Sequence, residues 1–295
     1  MTNEAKIVVA QLGPIGEDKD ANVQVVLDVL DSVRDSHPDF VLFPELATTP
    51  FFAIGLKNQA YFDLAETVPG PTTKIVGAKA KELGCHVILP LFERGQLEGQ
   101  YYNSAVVIGP DGEIIPGVLP DGRKVLTYRK NYISDFNWGE GLENDEKFYF
   151  GVGPGYPVFD TEKGRIGILI CYDRWFPEGY KILALQGAQI VFVPVASTGF
   201  VGDLFVAGLR THAAENAFAV IGCNKSGDEN VGARTAHYYG LSCIVGIRGE
   251  VLAAAPQDIP ATIEATIDLD AIKAARRRLF VLRDRRPELY GLIAQ

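Results

Sequence analysis

The chain has 295 residues, 47% of them hydrophobic and 22% charged, and its 37 acidic against 28 basic side chains give a net charge of −9. This balance is typical of a folded globular protein and excludes a disordered chain, a collagen and a coiled coil. An acidic chain also argues against a nucleic-acid partner, because such binding rests on a basic face that meets phosphates. We expect a single domain over residues 1–295, since no linker rich in Pro, Ser and Thr divides them.

The four cysteines are too few and too scattered for a disulfide framework, and no Cys-x-x-Cys pair is available to hold zinc. The longest apolar runs have the length of strands and fall far short of the roughly 20 residues that a membrane helix needs. The N-terminus has neither the basic region nor the long apolar stretch of a secretory signal. We therefore expect a cytoplasmic protein with reduced thiols and no membrane partner.

Short β-branched runs alternate with helical patterns along the chain. Strands are predicted at 7–12, 40–43, 86–92, 104–108, 165–170, 189–195, 218–223, 241–245 and 262–268. Helices are predicted at 20–36, 72–83, 178–186 and 204–216. Each half runs strand, helix, strand, helix, strand and then a hairpin, which predicts a pseudo-repeat of two facing sheets with helices outside.

Three polar residues, Glu45, Lys130 and Cys171, each directly follow a strand-like run. In layered α/β folds ligands bind beyond the carboxyl ends of strands, so these side chains can meet there. A thiol between a strand and a helix that starts near Pro177 can be presented as a nucleophile, with a free backbone N–H beside it. The simpler interpretation, a buried packing residue, is retained for the other cysteines, Cys85, Cys223 and Cys243.

A histidine partner for the thiol is not indicated, since none of the four histidines lies in a motif that would pair it with Cys171. A carboxylate in a pocket can act as general base instead, and Glu45 follows a strand that should be buried. Lys130 beside the thiol would favour the thiolate and could donate to a developing oxyanion.

Residues 43–46, 128–130 and 170–178 resemble, in order and spacing, the three signature segments of the nitrilase superfamily of carbon–nitrogen hydrolases, and the likeness covers almost the whole chain. The resemblance implies an α/β fold of four layers, αββα, with a Glu45–Lys130–Cys171 triad and no metal or organic cofactor. It also implies a homodimer or higher homo-oligomer. We expect a C-terminal tail, from about residue 280 to 295, at a dimer contact. Residues 276–278 and 283–286 form a basic cluster, for which a solvated helix face or a dimer contact is favoured over a nucleic-acid role.

The superfamily often adds a second glutamate that positions the lysine and the substrate. The segment 146–150 resembles the one that carries this residue, which indicates Glu146. Glu140 and Glu143 are nearby rivals, and a solvated loop charge is the plain alternative for all three.

The chemistry implied by the resemblance begins when Glu45 takes the proton of Cys171 and the thiolate attacks an amide or ureido carbonyl. Lys130 and the backbone N–H of Tyr172 hold the oxyanion. Glu45 returns its proton to the leaving ammonia and then activates the water that cleaves the acyl-enzyme. A non-enzymatic binding protein on the same fold is disfavoured by the complete triad.

Within the superfamily, residues 11–15, 46–52, 240–245 and 285–293 are similar to N-carbamoyl amino acid amidohydrolases. We therefore expect a hydrolase that cleaves a non-peptide C–N bond of an N-carbamoyl amino acid or a related small amide and releases ammonia. β-Ureidopropionase-like, carbamoylputrescine-like, simple amidase and nitrilase activities remain alternatives.

Arg174 matches an arginine that binds the substrate carboxylate in D-amino acid carbamoylases, and an internal ion pair with Asp173 or Glu178 is the alternative. The sequence departs from that pattern where Trp175 replaces a second arginine and where Tyr132 and Asn144 replace histidines. The predicted substrate-binding residues are Arg174, Trp175, Tyr132, Ser197 and Thr198. Aromatic residues near the expected pocket mouth suggest an apolar wall, with plain packing as the alternative: Phe51, Phe52, Tyr132, Phe136, Trp138 and Trp175.

Overall fold

The computed structural model describes residues 3–54, 57–137, 143–199 and 201–294, with their side chains except at 136, 137 and 143. The strands are β1 (Glu4–Gln11), β2 (Phe40–Leu42), β3 (His86–Arg94), β4 (Tyr101–Ile108), β5 (Gly117–Val118), β6 (Lys124–Val125), β7 (Tyr128–Arg129), β8 (Phe136–Asn137), β9 (Glu143–Asn144), β10 (Val158–Thr161), β11 (Gly164–Ile168), β12 (Ile190–Pro194), β13 (Ala219–Cys223), β14 (Ser226–Val231), β15 (Arg234–Tyr239), β16 (Cys243–Val245), β17 (Val251–Ala254) and β18 (Ala261–Asp268). The α-helices are α1 (Lys19–Ser32), α2 (Pro71–Leu83), α3 (Glu146–Tyr149), α4 (Pro177–Leu185), α5 (Gly202–Asn216) and α6 (Leu269–Arg278). Short 3-10 helices span Arg34–Ser36, Gln59–Leu64, Cys171–Trp175, Pro287–Leu289 and Gly291–Ala294.

Two large sheets carry the fold. The first has the strand order β18-β1-β2-β3-β4-β7, and the second has the order β17-β16-β13-β12-β11-β10-β5-β6. Strands β1, β2 and β3 are parallel and β4 is antiparallel to β3. Strands β11, β12 and β13 repeat this arrangement, with β16 antiparallel to β13. Helices α1 and α2 connect the first parallel set and α4 and α5 the second, so the predicted pseudo-repeat is confirmed.

The alternating directions of the side chains along β1 show how the sheets are layered. Ile7 and Val9 belong to a core shared with Ile168 of the second sheet. Val8, which points to the opposite face, belongs to a separate core with Val26 of α1. Because successive side chains of a strand point to opposite faces, the first sheet packs on helices on one side and on the second sheet on the other.

Helices α4 and α5 cover the outer face of the second sheet, and glycines let them approach. A Cβ added to Gly167 in β11 would lie 2.7 Å from Leu183 of α4, and one added to Gly222 in β13 would lie 2.4 Å from Leu209 of α5. Both distances are far below van der Waals contact, so an alanine at either position would displace a helix. The layers therefore run helices, sheet, sheet, helices, and the predicted αββα fold is confirmed.

Several element boundaries differ from the sequence prediction. The predicted helix at 20–36 ends at Ser32, where a 3-10 turn and a left-handed His37 (φ 47°) follow. The predicted strand at 241–245 begins only at Cys243, because Leu241 has a left-handed backbone (φ 59°). The hairpin of β14 and β15 was not predicted, because its polar side chains interrupt the apolar pattern by which a strand is recognised. No helix in the described part of the chain is long and apolar enough to cross a membrane.

Candidate active site

The loops after β2, β7 and β11 bring Glu45, Lys130 and Cys171 together, as the sequence predicts. The Lys130 ammonium donates to Glu45 at 2.9 Å, and both side chains are fully buried. The Cys171 thiol interacts electrostatically with both groups. In the described ranges no cluster of three or more His, Cys, Asp and Glu side chains could hold a metal ion.

The Lys130 ammonium is bound by two carboxylates. Besides Glu45, it donates to both oxygens of Glu146, at 2.8 and 2.7 Å. Burial alone would lower the pKa of Lys130, but the charges of Glu146 and Glu45 raise that pKa well above its ordinary value. The side chain therefore stays a cation.

Glu45 is held by groups on three different elements. Its Oε1 accepts from Asn103 Nδ2 of β4 at 2.7 Å as well as from Lys130, and its Oε2 accepts the backbone N–H of Ala196 at 2.8 Å. Neither Asn103 nor Ala196 was a candidate from the sequence. A buried asparagine inside an apolar strand is the signal that points to Asn103, because such a side chain needs a polar partner.

Glu146 is the first residue of α3 and is fully buried. Its Oε1 accepts from Ser134 Oγ at 2.8 Å and from Asn144 Nδ2 at 3.2 Å, in addition to Lys130. Burial raises the pKa of Glu146, and Lys130 opposes that rise. Of the two rivals, Glu140 lies outside the described residues, and so does the side chain of Glu143.

Cys171 opens the 3-10 helix after β11 with a left-handed backbone (φ 47°). A non-glycine residue in this conformation is strained, and such strain is typical of a nucleophile at a sharp turn. The residue is 9% exposed, and burial together with the Glu45 charge raises the pKa of its thiol to about 12, against the opposing effect of Lys130 and Arg174. The resting side chain is thus a neutral thiol at pH 7, and it needs a base to become a nucleophile.

Arg174 lies against Cys171 and is only 8% exposed. Its Nη1 donates to the Cys171 carbonyl oxygen at 3.0 Å and lies 3.7 Å from the Sγ atom, while its Nη2 donates to Ser197 Oγ at 3.0 Å. The alternative internal ion pair is not found within the described ranges, because Asp173 is engaged by other donors and Glu178 is exposed. The guanidinium is therefore desolvated without a carboxylate partner among the described residues.

The remaining predicted substrate-binding residues lie in the same region. Tyr132 stacks on Phe176 with ring centroids 3.5 Å apart, and Trp175 is 47% exposed. Thr198 is half-buried and forms a β-bridge with Tyr238 of β15. The half-buried Tyr172 makes an edge contact with the Phe176 ring. A substrate-binding role for Tyr132, Trp175 and Thr198 stays a prediction.

The predicted apolar wall is wrong for Phe51 and Phe52. Both are buried in a separate core, where Phe52 stacks on Tyr61 with ring centroids 5.0 Å apart. These side chains are packed inside that core, as the alternative of plain packing has it. Trp138 lies outside the described residues, and so does the side chain of Phe136.

Residues 6–277 match the model of the family described as carbon-nitrogen hydrolase. The chain belongs to this family. An N-carbamoylputrescine amidase of Solanum lycopersicum is 33% identical over 290 residues, which cover 94% of this chain and 91% of that protein. A citrullinase of Francisella tularensis subsp. tularensis is 32% identical over 301 residues and covers 98% of both chains.

Among solved structures, a carbon-nitrogen hydrolase from Helicobacter pylori G27 superposes with a TM-score of 0.87 at 29% identity, over 99% of each chain. As a carbon-nitrogen hydrolase, this protein is an enzyme of the amidohydrolase type.

Proposed function

We propose that this carbon-nitrogen hydrolase cleaves the carbamoyl group of a small N-carbamoyl compound whose other end carries a carboxylate, as in an N-carbamoyl amino acid. Relatives named N-carbamoylputrescine amidase and citrullinase support the carbamoyl part of the substrate. The observation that supports a carboxylate in the substrate is the buried guanidinium of Arg174 beside Cys171. A buried cation is costly without a counter-charge, and a planar guanidinium suits a bidentate carboxylate.

In the proposed reaction, Glu45 accepts the proton of Cys171 as the sulfur attacks the carbamoyl carbon. Lys130 and the backbone N–H of Tyr172 stabilise the oxyanion that forms. The bond to the terminal nitrogen breaks, and ammonia leaves with the proton returned by Glu45. The products of this half-reaction are free ammonia and a thiocarbamate on Cys171.

In the second half-reaction, Glu45 removes a proton from water, and the resulting hydroxide attacks the thiocarbamate carbon. The carbon–sulfur bond breaks and the Cys171 sulfur recovers the proton from Glu45. The product is a carbamic acid, which loses carbon dioxide to leave the free amine. Simple amides and nitriles would release ammonia without carbon dioxide. Measuring both products therefore distinguishes carbamoyl substrates from amides and nitriles.

The test is a panel of N-carbamoyl amino acids, N-carbamoylputrescine, simple amides and nitriles, with ammonia and carbon dioxide both measured. We expect equal amounts of the two products from N-carbamoyl amino acids and no turnover by the Cys171→Ala variant. Ammonia without carbon dioxide from every active compound would overturn the carbamoyl assignment.

A second comparison tests the carboxylate. Arg174→Gln should raise KM for an N-carbamoyl amino acid about 10- to 100-fold, the loss of one charge-assisted hydrogen-bonded contact. For the matched N-carbamoyl amino acid amide, which has no negative charge, KM should change by less than about threefold. Equal changes for both compounds would show that Arg174 does not recognise the carboxylate.

We also propose that the enzyme works in the cytoplasm as a homodimer or larger homo-oligomer. Four free cysteines support a reducing compartment. Exposed apolar side chains near the C-terminus, Leu279, Phe280, Val281, Leu289, Leu292 and Ile293, support burial against a second copy. Light scattering on the purified chain tests the assembly, and a monomer at micromolar concentration would contradict it.

A further inference from the structure

Asp173 is a fully buried carboxylate two residues after Cys171, and the reaction above does not use it. Its Oδ1 accepts two backbone N–H groups of the neighbouring loop, from Asn131 at 3.2 Å and from Tyr132 at 2.9 Å. Both donors directly follow Lys130 in the chain. One oxygen of Asp173 therefore holds the segment that leaves the lysine.

The second oxygen of Asp173 completes the contact between the two segments. Oδ2 accepts the Tyr128 hydroxyl at 2.5 Å and the backbone N–H of Ile170 at 3.0 Å. Tyr128 belongs to the short strand that leads to Lys130, and Ile170 directly precedes Cys171. Asp173 thus binds both sides of the lysine and the residue before the nucleophile.

We propose that Asp173 is a positioning residue that fixes Cys171 and Lys130 relative to each other, an inference that rests on the catalytic roles proposed above. Asp173 has no exposed surface, so it acts through its hydrogen bonds and not by contact with substrate.

The local backbone explains why such a residue is needed. Strand β7, which precedes Lys130, has only two residues, and the lysine backbone adds one hydrogen bond to Asn103 of β4 and one to Gly153, so the sheet pairing ends at Lys130 and does not reach Asn131 and Tyr132. The left-handed backbone at Cys171 is strained and persists only where its surroundings fix it. A carboxylate that accepts hydrogen bonds from both segments supplies that constraint, because bonds to an ionised acceptor are the strong ones.

Two variants test the role of Asp173. Asp173→Asn replaces one acceptor oxygen by an amide nitrogen, and we expect kcat to fall about 100-fold, the cost of displacing a catalytic group by about 1 Å. KM should stay within about twofold, since no substrate contact is removed. Asp160→Asn is the matched control on the exposed surface, and its kcat should equal that of the wild type.

Tyr128→Phe removes one hydrogen bond of Asp173 and changes no charge at neutral pH. It keeps the inference testable if Asp173→Asn does not fold. We expect kcat to fall at least about fivefold with KM unchanged, and the alkylation of Cys171 by iodoacetamide at pH 9 to slow at least about threefold. The alkylation slows because a less firmly held Lys130 stabilises the thiolate less well.

Three outcomes are decisive. A folded Asp173→Asn variant with kcat within twofold of the wild type overturns the inference, and so does a Tyr128→Phe variant with unchanged kcat and alkylation. A rise in KM alone would also overturn it, because it would indicate contact with substrate. Alkylation needs no substrate, so an enzyme that turns over none of the panel would refute the proposed function while the positioning role is still measured.

Discussion

Glu229→Gln is expected to destabilise the protein by about 3–5 kcal/mol, because it leaves Lys225 buried without its counter-charge. The two side chains form an ion pair at 2.9 Å, and neither is exposed to solvent. Lys225 also donates to the Thr49 carbonyl oxygen at 3.2 Å. Thr49 follows Glu45 by four residues, so the pair fixes the loop that leaves the proposed base.

The size of the effect follows from the geometry. With an effective dielectric constant of about 20, two unit charges 2.9 Å apart attract by about 6 kcal/mol. This attraction offsets the desolvation of both ions only while both are present. Glu229 also accepts the backbone N–H groups of Phe51 at 2.8 Å and Ile15 at 3.3 Å, and a glutamine oxygen can keep only one of these bonds.

For 295 residues, an unfolding entropy of about 2.1 cal/mol/K per residue converts this loss into a fall in Tm of about 5–8 °C. Urea denaturation followed by circular dichroism measures the free energy of unfolding directly. The double variant Lys225→Met, Glu229→Gln removes both charges and should recover at least half of the loss. Asp160→Asn, which breaks an exposed ion pair with Arg165, should cost less than about 1 kcal/mol.

The reasoning is refuted if Glu229→Gln costs less than about 1 kcal/mol, since the pair would then contribute no more than an exposed one. It is equally refuted if the double variant is no more stable than the single variant. In that case, lost packing and backbone hydrogen bonds would explain the whole effect, and the uncompensated charge would explain none of it.

Burial and the negative charge of Glu45 raise the pKa of Cys171 to about 12, and Glu45→Gln removes that charge. The pKa of Cys171 should therefore fall, and alkylation of its thiol at pH 9 should become faster. Because the variant also lacks the proposed base, kcat should drop at least about 10³-fold. Slower alkylation in this variant would contradict the electrostatic role of Glu45. Glu146→Gln removes one of the two carboxylates on the lysine ammonium and should lower kcat about 10²-fold in steady-state ammonia assays, with a folded circular dichroism spectrum. Ser197→Ala removes one acceptor of Arg174 and should raise KM for N-carbamoyl amino acids about threefold to tenfold at unchanged kcat. An unchanged KM would show that Ser197 does not contribute to substrate binding.

The parts of the fold that depend on local patterns could be predicted from the sequence. Continuous apolar runs identify buried parallel strands, and polar residues that follow them identify the sheet edge where ligands bind. This reasoning predicted that Glu45, Lys130 and Cys171 would meet, and their contacts agree with it. The resemblance to a known family then indicated Glu146, which no periodicity singles out.

Contacts between distant segments could not be predicted in this way. Glu45 is fixed by Asn103, 58 positions away, and by the backbone of Ala196, 151 positions away. The role of Arg174 was open for the same reason, because it depended on whether Asp173 was free to pair with it. Three of the four hydrogen bonds that engage Asp173 come from residues 128–132, which are remote in sequence, and the fourth comes from Ile170. The local spacing of residues does not show which donors will occupy Asp173.

Lys130, Lys225 and Arg174 are buried cations that differ in their negative partners. Lys130 has two carboxylates and Lys225 has one, so both charges are neutralised inside the protein. Arg174 has only a carbonyl and a hydroxyl as acceptors among the described residues, and it lies against Cys171. The fold pairs two of these three buried cations with carboxylates and leaves Arg174, beside the proposed nucleophile, without one among the described residues. We therefore expect the substrate to supply that charge. The carboxylate of an N-carbamoyl amino acid would do so, whereas the ammonium of N-carbamoylputrescine would be repelled.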